Sequence, residues 1–515
     1  MLTPEGKSAI KIEKVMLLAL WANELKERFE IHDKKMILAG LGRPTYPINK
    51  YTIQSYLKYW NRLNEIATQW HNDPEAILDN PAIDYGDPRG DKEPRTIMAE
   101  RMSKWYEAEI YTEHILFTVG GIGGLRAIFD TFNSHFEDIP GYRIITPFPH
   151  YSVYANDCMH RLHPISVMNN PGYKLTAQSM QESIEQAYEL AETDRGFPKA
   201  VLMCNPSNPL GNIIDEEEMI KMAAVLRRYP ELYIIFDEAY AEMSFIEMPS
   251  FLKIAPDLKT RVIILRSATK ALSAAGERMA ILIVFDPEMM NELLNKNINY
   301  FIHVPRSAQI AYAETMALFD QKEQCNLAEY YEKKVKYVLN RLQEMGASMP
   351  DPSYAVEATF YALGDFGDLF GLNMPEESQE VFKKTGQIKT DEDIAYYFLY
   401  CDAVMIAPLS YFGLAENSGY MRITCSASGI ELKEMMDRLE HRLIYARKIK
   451  KEHLIKSITE QLIKIKDKDI HVYELVLHKL SLNSSLESNC LRLKNDLISL
   501  EQLHKFVEDG IKIMT

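Results

Sequence analysis

The sequence predicts an α/β protein whose main sheet is largely parallel, followed by a smaller α+β region and additional C-terminal helices. From about Ile115, short apolar runs alternate with amphipathic segments of helical length, an order typical of parallel sheets. Polar or glycine-rich stretches follow directly on several of these runs. With 515 residues, 47% hydrophobic and 25% charged, the chain has the composition of a globular protein and the length for two or three domains.

The elements can be assigned in chain order. Residues 1–36 have a helical pattern that ends at a loop containing Gly and Pro, ILAGLGRPTYP, over 37–47. Apolar runs then predict the strands ILFTV, RIITP, AVLMCN, YIIFDE, RVIILRS and AILIVF. Between about 326 and 445, long helical segments are joined by the shorter runs ATFYALGDF, AVMIAP and GYMRITC. Beyond about Arg447, Ile and Leu recur at helical spacing among Lys and Glu, which predicts amphipathic helices.

Charge and cysteine usage exclude several classes of protein. The net charge of −15 argues against a nucleic-acid surface, because binding a phosphate backbone needs clustered Lys and Arg. The cysteines at 158, 204, 325, 401, 425 and 490 form no CxxC pair or metal-ligand spacing. The apolar stretch Val15 to Trp21 is far shorter than the roughly 20 residues that span a bilayer. We expect a cytoplasmic protein without a metal, a membrane segment or a nucleic-acid partner.

The strongest chemical motif is SATKALSAAGER, which begins at Ser267 directly after the run RVIILR. A lysine by itself is usually a solvated charge. Lys270, however, lies three residues after Ser267 and eight before Arg278. A hydroxyl and a guanidinium could therefore converge on a phosphate while the amine reaches a carbonyl carbon.

The next motif, FDEAY, contains Asp237 and Tyr240 and lies at the end of the apolar run in ELYIIFDEAY. An isolated Asp at this position is more often a helix cap or part of an ion pair. Beside a pyridine cofactor, the same carboxylate would keep the ring nitrogen protonated, and the cationic ring could then withdraw electrons from a substrate.

Two further motifs also follow apolar runs. In NPSNPLG, the Asn-Pro pairs and the Gly are typical of turns, and the turn would present the amide of Asn208. In TVGGIGGLRAIF, a glycine cluster from Gly120 leads into a helix, whose first N–H groups and positive dipole end suit an anion. This second motif is weak alone, because it matches neither a P-loop nor GxGxxG.

In this order and spacing, the four motifs resemble fold-type I enzymes of the class I/II aminotransferase group, in the aspartate aminotransferase superfamily, which use pyridoxal 5′-phosphate (PLP). The match covers roughly Gly40 to Arg447. Lys270 falls on the family's Schiff-base lysine, Asp237 on the carboxylate at the pyridine nitrogen, and Asn208 with Tyr240 on the pair that contacts the ring oxygen. The positions that fall on the phosphate cup are Ser267, Arg278 and the backbone of Gly120, Gly121 and Ile122.

The same resemblance implies roles for aromatic residues around the cofactor. TPFPHYSVY resembles the segment whose aromatic side chain stacks on the pyridine ring, which indicates Tyr151, with Phe148 as the alternative. In YGDPRG, Tyr85 with Gly90 resembles the tyrosine that reaches the phosphate of the neighbouring subunit's cofactor. The resemblance therefore implies a homodimer with shared active sites.

Substrate contacts are implied in the same way. GYMRITC places Arg422 on the arginine that binds the substrate α-carboxylate, a bidentate contact that lysine makes poorly. GLGRP resembles the loop whose glycine, Gly42, lies beside that carboxylate, and Asn208 is the third position implied for substrate.

The implied architecture is a large domain with a mainly parallel seven-stranded sheet, a smaller α+β domain and C-terminal helices. We expect an N-terminal helical arm and substrate loop over 1–48, the PLP-binding domain over 49–325, the small domain over 326–447 and a helical extension over 448–515.

Four positions depart from the family pattern and leave the subfamily open. Ser273 stands where Gly is usual, and Glu277 stands where an apolar residue is usual. Leu210 replaces the common Thr or Ser, and Gly121 replaces the common Ser, Ala or Thr.

The function implied is amino-group transfer between an L-amino acid and a 2-oxo acid, with Lys270, Asp237 and Tyr240 as catalytic residues. A freed, desolvated Lys270 amine can move a proton between the substrate Cα and the cofactor C4′. Decarboxylation, β- or γ-elimination and cyclisation remain alternatives on the same fold, as does a non-catalytic sensor or binding protein. Arg306 is either a contact for an acidic side chain or a surface or interface charge.

The segment 448–515 lies beyond the resemblance, and two arrangements remain open for it. Its amphipathic helices either pack on their own subunit or form a contact with a partner or a second copy.

Overall fold

The structure is a computed structural model that describes residues 13–30, 34–73, 75, 82–134, 141–156, 160–376, 378, 386–466, 469–482 and 489–514. The chain forms two compact units. The first contains residues 1–41, 334–350 and 362–515, and the second contains 42–333 and 351–361. The domain boundaries at 48, 325 and 447 stay predictions.

The second unit is built on a seven-stranded sheet of order β2-β8-β7-β6-β5-β3-β4. Strands β7, β6, β5, β3 and β4 pair in parallel, and β8 runs antiparallel to its neighbours β2 and β7. The prediction of a mainly parallel sheet is confirmed. Its strands are β2 (Ile115–Val119), β3 (Tyr142–Phe148), β4 (His160–Ser166), β5 (Pro198–Cys204), β6 (Tyr233–Asp237), β7 (Val262–Ser267) and β8 (Met279–Val284).

Burial explains the composition of these strands. Every residue of β7 and β8 is buried, as expected for central strands that are covered on both faces. Helices cover the sheet, and side chains such as Ile128, Phe132 and Leu293 complete its core. The edge strand β4 instead alternates buried and exposed side chains, in agreement with its position at one end of the sheet.

Several helices begin at a residue whose side chain caps the first turn. Thr176 accepts a hydrogen bond from the Ser179 N–H at the start of the helix Ala177–Asp194, and Ser428 accepts one from the Glu431 N–H at the start of the helix Gly429–Ile465. The helices are α1 (Lys14–Glu30), α2 (Lys50–Asn72), α3 (Lys92–Tyr106), α4 (Gly120–Ser134), α5 (Ala177–Asp194), α6 (Glu216–Leu226), α7 (Phe251–Ile254), α8 (Ala268–Ala271), α9 (Pro287–Phe301), α10 (Arg306–Leu318), α11 (Gln321–Glu344), α12 (Asp391–Asp402), α13 (Gly429–Ile465), α14 (Ile470–Leu482) and α15 (Cys490–Met514).

Short strands form two small sheets, and they include the runs predicted between 326 and 445. Strand β1 (Ile37–Leu38) pairs in parallel with β10 (Val404–Met405). A three-stranded sheet has the order β11-β12-β9, from β11 (Ala407–Pro408), β12 (Tyr420–Thr424) and β9 (Tyr361–Asp365).

The C-terminal segment packs within the first unit. Helix α13 is 37 residues long and continues past Arg447, and α14 and α15 lie against it. Together the three helices bury an apolar cluster formed by Ile458, Leu462, Val476, Leu480, Leu500, Leu503 and Val507. This packing is what the intramolecular arrangement predicts, and a contact with a partner or a second copy stays the alternative.

Two buried cations hold α15 to α13. The guanidinium of Arg447 is fully buried and donates to the Cys490 carbonyl at 2.9 Å and to Asp368 at 2.7 Å. The amine of Lys451, also fully buried, pairs with Asp496 at 2.6 Å. Because a buried charge is costly without a partner, these contacts make the position of α15 specific.

Candidate active site

The chemical motifs meet at one edge of the main sheet. Strands β5, β6 and β7 are parallel neighbours, so their carboxyl ends lie side by side. Asp237 is the last residue of β6, and Ser267 is the last residue of β7. The Ser267 hydroxyl caps helix α8 by accepting a hydrogen bond from the Thr269 N–H at 3.2 Å, and Lys270 lies in this short helix.

The Asp237 carboxylate is almost fully buried and receives two hydrogen bonds. The Tyr154 hydroxyl donates at 2.7 Å and the Ala239 N–H at 3.3 Å. Burial raises the pKa of Asp237, and the hydrogen bond from Tyr154 opposes that rise. Within the described residues, no Lys, Arg or His forms an ion pair with Asp237. A buried carboxylate of this kind is suited to a cationic ring nitrogen.

Tyr154 is a site residue that the sequence analysis missed. It lies in the short turn Ser152–Asn156, is fully buried, and contacts Tyr151 edge to face at 5.5 Å. Its only sequence signal is its position three residues after Tyr151 in HYSVY, and that spacing does not indicate Asp237 as its partner.

The Lys270 amine lies among backbone and aromatic groups. It donates to the Gly42 carbonyl, and it lies 6.0 Å from the ring centre of Tyr240 and 5.9 Å from that of Phe360. A Cβ at Gly42 would come within 2.1 Å of the Tyr361 hydroxyl oxygen and 3.3 Å of the Lys270 Nζ. Any side chain at position 42 would therefore force the Tyr361 hydroxyl to move.

Asn208 and Tyr240 come together as predicted, and a further tyrosine joins them. The Asn208 amide lies 3.4 Å from the Tyr240 hydroxyl, which in turn lies 2.8 Å from the Tyr361 hydroxyl. Burial is the main cause that raises the pKa of Tyr240 well above its usual value, and Tyr361 adds to it. Tyr361 lies outside all the motifs and was not predicted.

The predicted phosphate cup brings Arg278 to the start of α4. The Gly120 N–H donates to the Arg278 carbonyl at 2.9 Å, and a Cβ at Gly120 would lie 2.5 Å from a guanidinium nitrogen of Arg278. Gly120 has φ +65°, which glycine adopts freely. The N–H groups of Gly121 and Ile122 belong to the first helical turn, where a helix supplies no acceptor of its own. The arrangement suits an anion.

The remaining aromatic candidates lie at different depths. Tyr151 is half-buried and packs against the core of the sheet, and Phe148 ends β3 with its ring 4.7 Å from His150. Tyr85 is 75% exposed and contacts His303 edge to face.

Residues 53–439 match the family model for aminotransferase class I and II. The chain belongs to this family. It is 26% identical over 339 residues to a probable N-acetyl-LL-diaminopimelate aminotransferase of Bacillus subtilis, covering 65% of this chain and 74% of that protein. It is 23% identical over 437 residues to an aspartate aminotransferase of Pyrococcus horikoshii, covering 84% and 96%.

Solved structures agree on the fold. An aspartate aminotransferase of Rhizobium meliloti superposes with a TM-score of 0.64 at 20% identity, over 84% of this chain and 96% of that one. The aspartate aminotransferase of Thermotoga maritima gives a TM-score of 0.63 at 20% identity, over 84% and 98%. The predicted family, fold and enzyme class are confirmed: the protein is an aminotransferase.

Arg422 of this aminotransferase lies in the first unit. It lies on β12, is buried, and donates to the Gly40 carbonyl at 2.6 Å. Its guanidinium lies 4.5 Å from the ring centre of Phe412. Both contacts restrict the orientation of its planar donors.

The departures from the family pattern have local explanations. Ser273 has φ +52°, a left-handed conformation in which glycine is free of strain, so the usual Gly is replaced at a cost. Glu277 accepts a hydrogen bond from the Tyr56 hydroxyl at 2.6 Å. Leu210 is buried, and a Cβ at Gly121 would lie 3.3 Å from Leu265.

Arg306, for which the sequence left two roles open, pairs with Asp91 at 2.7 Å.

Charged side chains are also buried next to the site residues in sequence. Arg266, which precedes Ser267, pairs with Glu242 and lies 3.6 Å from Glu238, the residue after Asp237. Burial raises the pKa of Glu238 to about 7, and Arg266 opposes the rise. Neighbouring residues of a strand point to opposite faces, so this cluster supports the strand ends from the reverse side.

Among the described residues, no group of three or more His, Cys, Asp or Glu is arranged to hold a metal ion. No helix in the described ranges has the length and apolar character to cross a bilayer.

Proposed function

We propose that this aminotransferase moves an amino group between an L-amino acid and a 2-oxo acid, with PLP bound at Lys270. The observation that carries the proposal is the buried Asp237 carboxylate at the same sheet edge as the Lys270 amine. When bound, PLP supplies a protonated pyridine ring that withdraws electrons from the substrate Cα.

Each part of the cofactor has a matching group in the second unit. Asp237 would hold the ring nitrogen, and Asn208 with Tyr240 would contact the ring oxygen. Tyr151, or Phe148 in its place, would cover the ring face. The groups proposed for the phosphate are Ser267, Arg278 and the backbone of Gly120, Gly121 and Ile122.

Lys270 would also act on the substrate directly. Lys270 is half-buried, and its Nζ lies beside the rings of Tyr240 and Phe360. An amine that loses solvent becomes a better base near neutral pH, so Lys270 is suited to move a proton at the substrate Cα. Gly42 keeps the space beside this amine free of a side chain.

We expect Arg422 to bind the substrate α-carboxylate through its planar pair of donors. Arg422→Lys should raise KM about tenfold or more for every amino acid, without changing their ranking. Steady-state kinetics over an amino-acid panel checks this, with Arg438→Lys as a control outside the proposed site. A changed ranking at unchanged overall affinity would place Arg422 in the side-chain pocket instead.

We also propose that the enzyme acts in amino-acid metabolism as a cytoplasmic homodimer. Tyr85 is largely exposed in the single chain, as expected of a side chain that reaches a second copy. Ile122 in the first turn of α4 is also 48% exposed.

Borohydride reduction followed by peptide mapping tests the proposal. The purified protein should absorb visible light, and reduction should attach the cofactor to Lys270 alone. Lys270→Ala should abolish the label, whereas Lys253→Ala, which removes a lysine paired with Glu107, should leave it unchanged. A label on another lysine, or on none, contradicts the assignment. Spectral changes on adding each amino acid of a panel then identify the substrate class.

A further inference from the structure

Tyr361 contacts Tyr240, and its hydroxyl borders the same small space beside Gly42 as the Lys270 amine. It is the first residue of β9 and is almost fully buried. Its hydroxyl lies 2.8 Å from that of Tyr240, and the two rings meet at 5.7 Å between centroids. It reaches the site from a part of the chain that follows the Lys270 motif by about 90 residues, outside every motif.

The direction of the hydrogen bond between the two tyrosines follows from the proton of Tyr240. A phenol has one proton to donate. If Tyr240 gives it to the cofactor ring oxygen, its own oxygen must accept from its neighbours. Tyr361 at 2.8 Å and the Asn208 amide at 3.4 Å both lie where they can donate. Hydrogen bonds in such a chain strengthen one another where the dielectric is low.

We propose that Tyr361 is a positioning residue of the amino-transfer site, which donates to Tyr240 and so directs the Tyr240 proton toward the cofactor ring oxygen. The inference rests on the proposed function. Tyr361 acts through Tyr240, so it adds a second layer behind a residue that contacts the cofactor.

Tyr361 and Lys270 both border the small space beside Gly42. The space where a Cβ of Gly42 would stand is bounded by the Tyr361 hydroxyl oxygen at 2.1 Å and by the Lys270 Nζ at 3.3 Å. The Gly42 carbonyl accepts from the same amine. Tyr361 therefore occupies the space beside the Lys270 amine and accounts for the absence of a side chain at position 42.

A pH titration of the visible absorption tests the role. A weaker donor at the ring oxygen leaves more negative charge there. That charge holds a proton more tightly on the nitrogen that would join Lys270 to the cofactor, which is called the linkage below. The apparent pKa of the linkage should therefore rise on the order of half a unit in Tyr361→Phe and further in Tyr240→Phe. The double variant should titrate like Tyr240→Phe, because Tyr361 acts through Tyr240. Tyr354→Phe, which loses a hydroxyl that donates to the Leu210 carbonyl, should match the native protein.

Thermal unfolding of the full chain as purified gives a readout that does not depend on activity. Gly42→Ala should lower Tm by about 5 °C or more, because its Cβ collides with the Tyr361 hydroxyl. Adding Tyr361→Phe removes the colliding oxygen, so the double variant should recover part of the loss. Additive effects of the two substitutions would overturn the contact.

The outcomes separate this inference from the proposed function. If borohydride labels Lys270 and Tyr361→Phe titrates like the native protein, the inference alone is overturned. It is also overturned if the double variant shifts beyond Tyr240→Phe, since Tyr361 then acts independently of Tyr240. If no label reaches Lys270, the proposed function and the inference fall together.

Discussion

Asp237→Asn is expected to lower kcat on the order of a thousandfold while the protein keeps its cofactor. A neutral amide cannot hold a pyridine nitrogen protonated, so the ring would withdraw electrons from the substrate much less effectively. The groups proposed for the phosphate and for Lys270 are unchanged by the substitution, which is why binding should persist. The amide also keeps an oxygen that can accept from the Tyr154 hydroxyl, so the local structure should tolerate it.

Single-turnover kinetics with the best amino acid of the panel measures this loss, and the visible absorption reports the bound cofactor. Asp257→Asn is the matched control, because Asp257 is exposed and pairs with Arg227 on the surface. We expect it to behave like the native enzyme. Near-native turnover of the Asp237 variant would contradict the proposed role.

Truncation after Arg447 is expected to lower Tm by on the order of 5 to 10 °C and to reduce solubility, with cofactor binding retained. The truncation removes α14, α15 and the end of α13, and with them the apolar cluster that these helices share. It also removes the Cys490 carbonyl from the buried Arg447 guanidinium, which leaves a charge with fewer partners. The proposed cofactor groups all lie in the second unit, so they should remain.

Differential scanning calorimetry and light scattering measure the effect of truncation. A matched pair of point variants tests the contribution of the buried apolar cluster: Leu500→Ala removes a fully buried side chain and should cost about 2–5 kcal/mol, whereas Phe506→Ala alters a side chain that is 49% exposed and should cost little. A stable, active truncated enzyme with a changed number of subunits would instead indicate that the segment is an interface.

Much of the candidate site could be predicted from the sequence because its groups follow directly on apolar strands. Asp237 and Ser267 end β6 and β7, and Lys270 and Asn208 come within four residues of a strand end. In a parallel sheet these ends share one edge, so local spacing was enough to bring them together. Strand β4 was missed among the apolar runs, because its sequence HRLHPIS is rich in polar residues, of which Arg161 and Ser166 lie at exposed positions of this edge strand.

The sequence by itself determined the fold class, the family and the chemistry of the residues at the strand ends, since periodicity and motif spacing are local properties. Only the tertiary structure decided which distant side chains complete the site. Tyr154 reaches Asp237 from 83 positions away, and Tyr361 reaches Tyr240 from 121 positions away. The partners of Arg447 were equally hidden, because Cys490 lies 43 positions further along the chain. Such contacts depend on how the chain returns to itself, and strand or helix periodicity predicts the buried face of a residue but not the residue that it meets there.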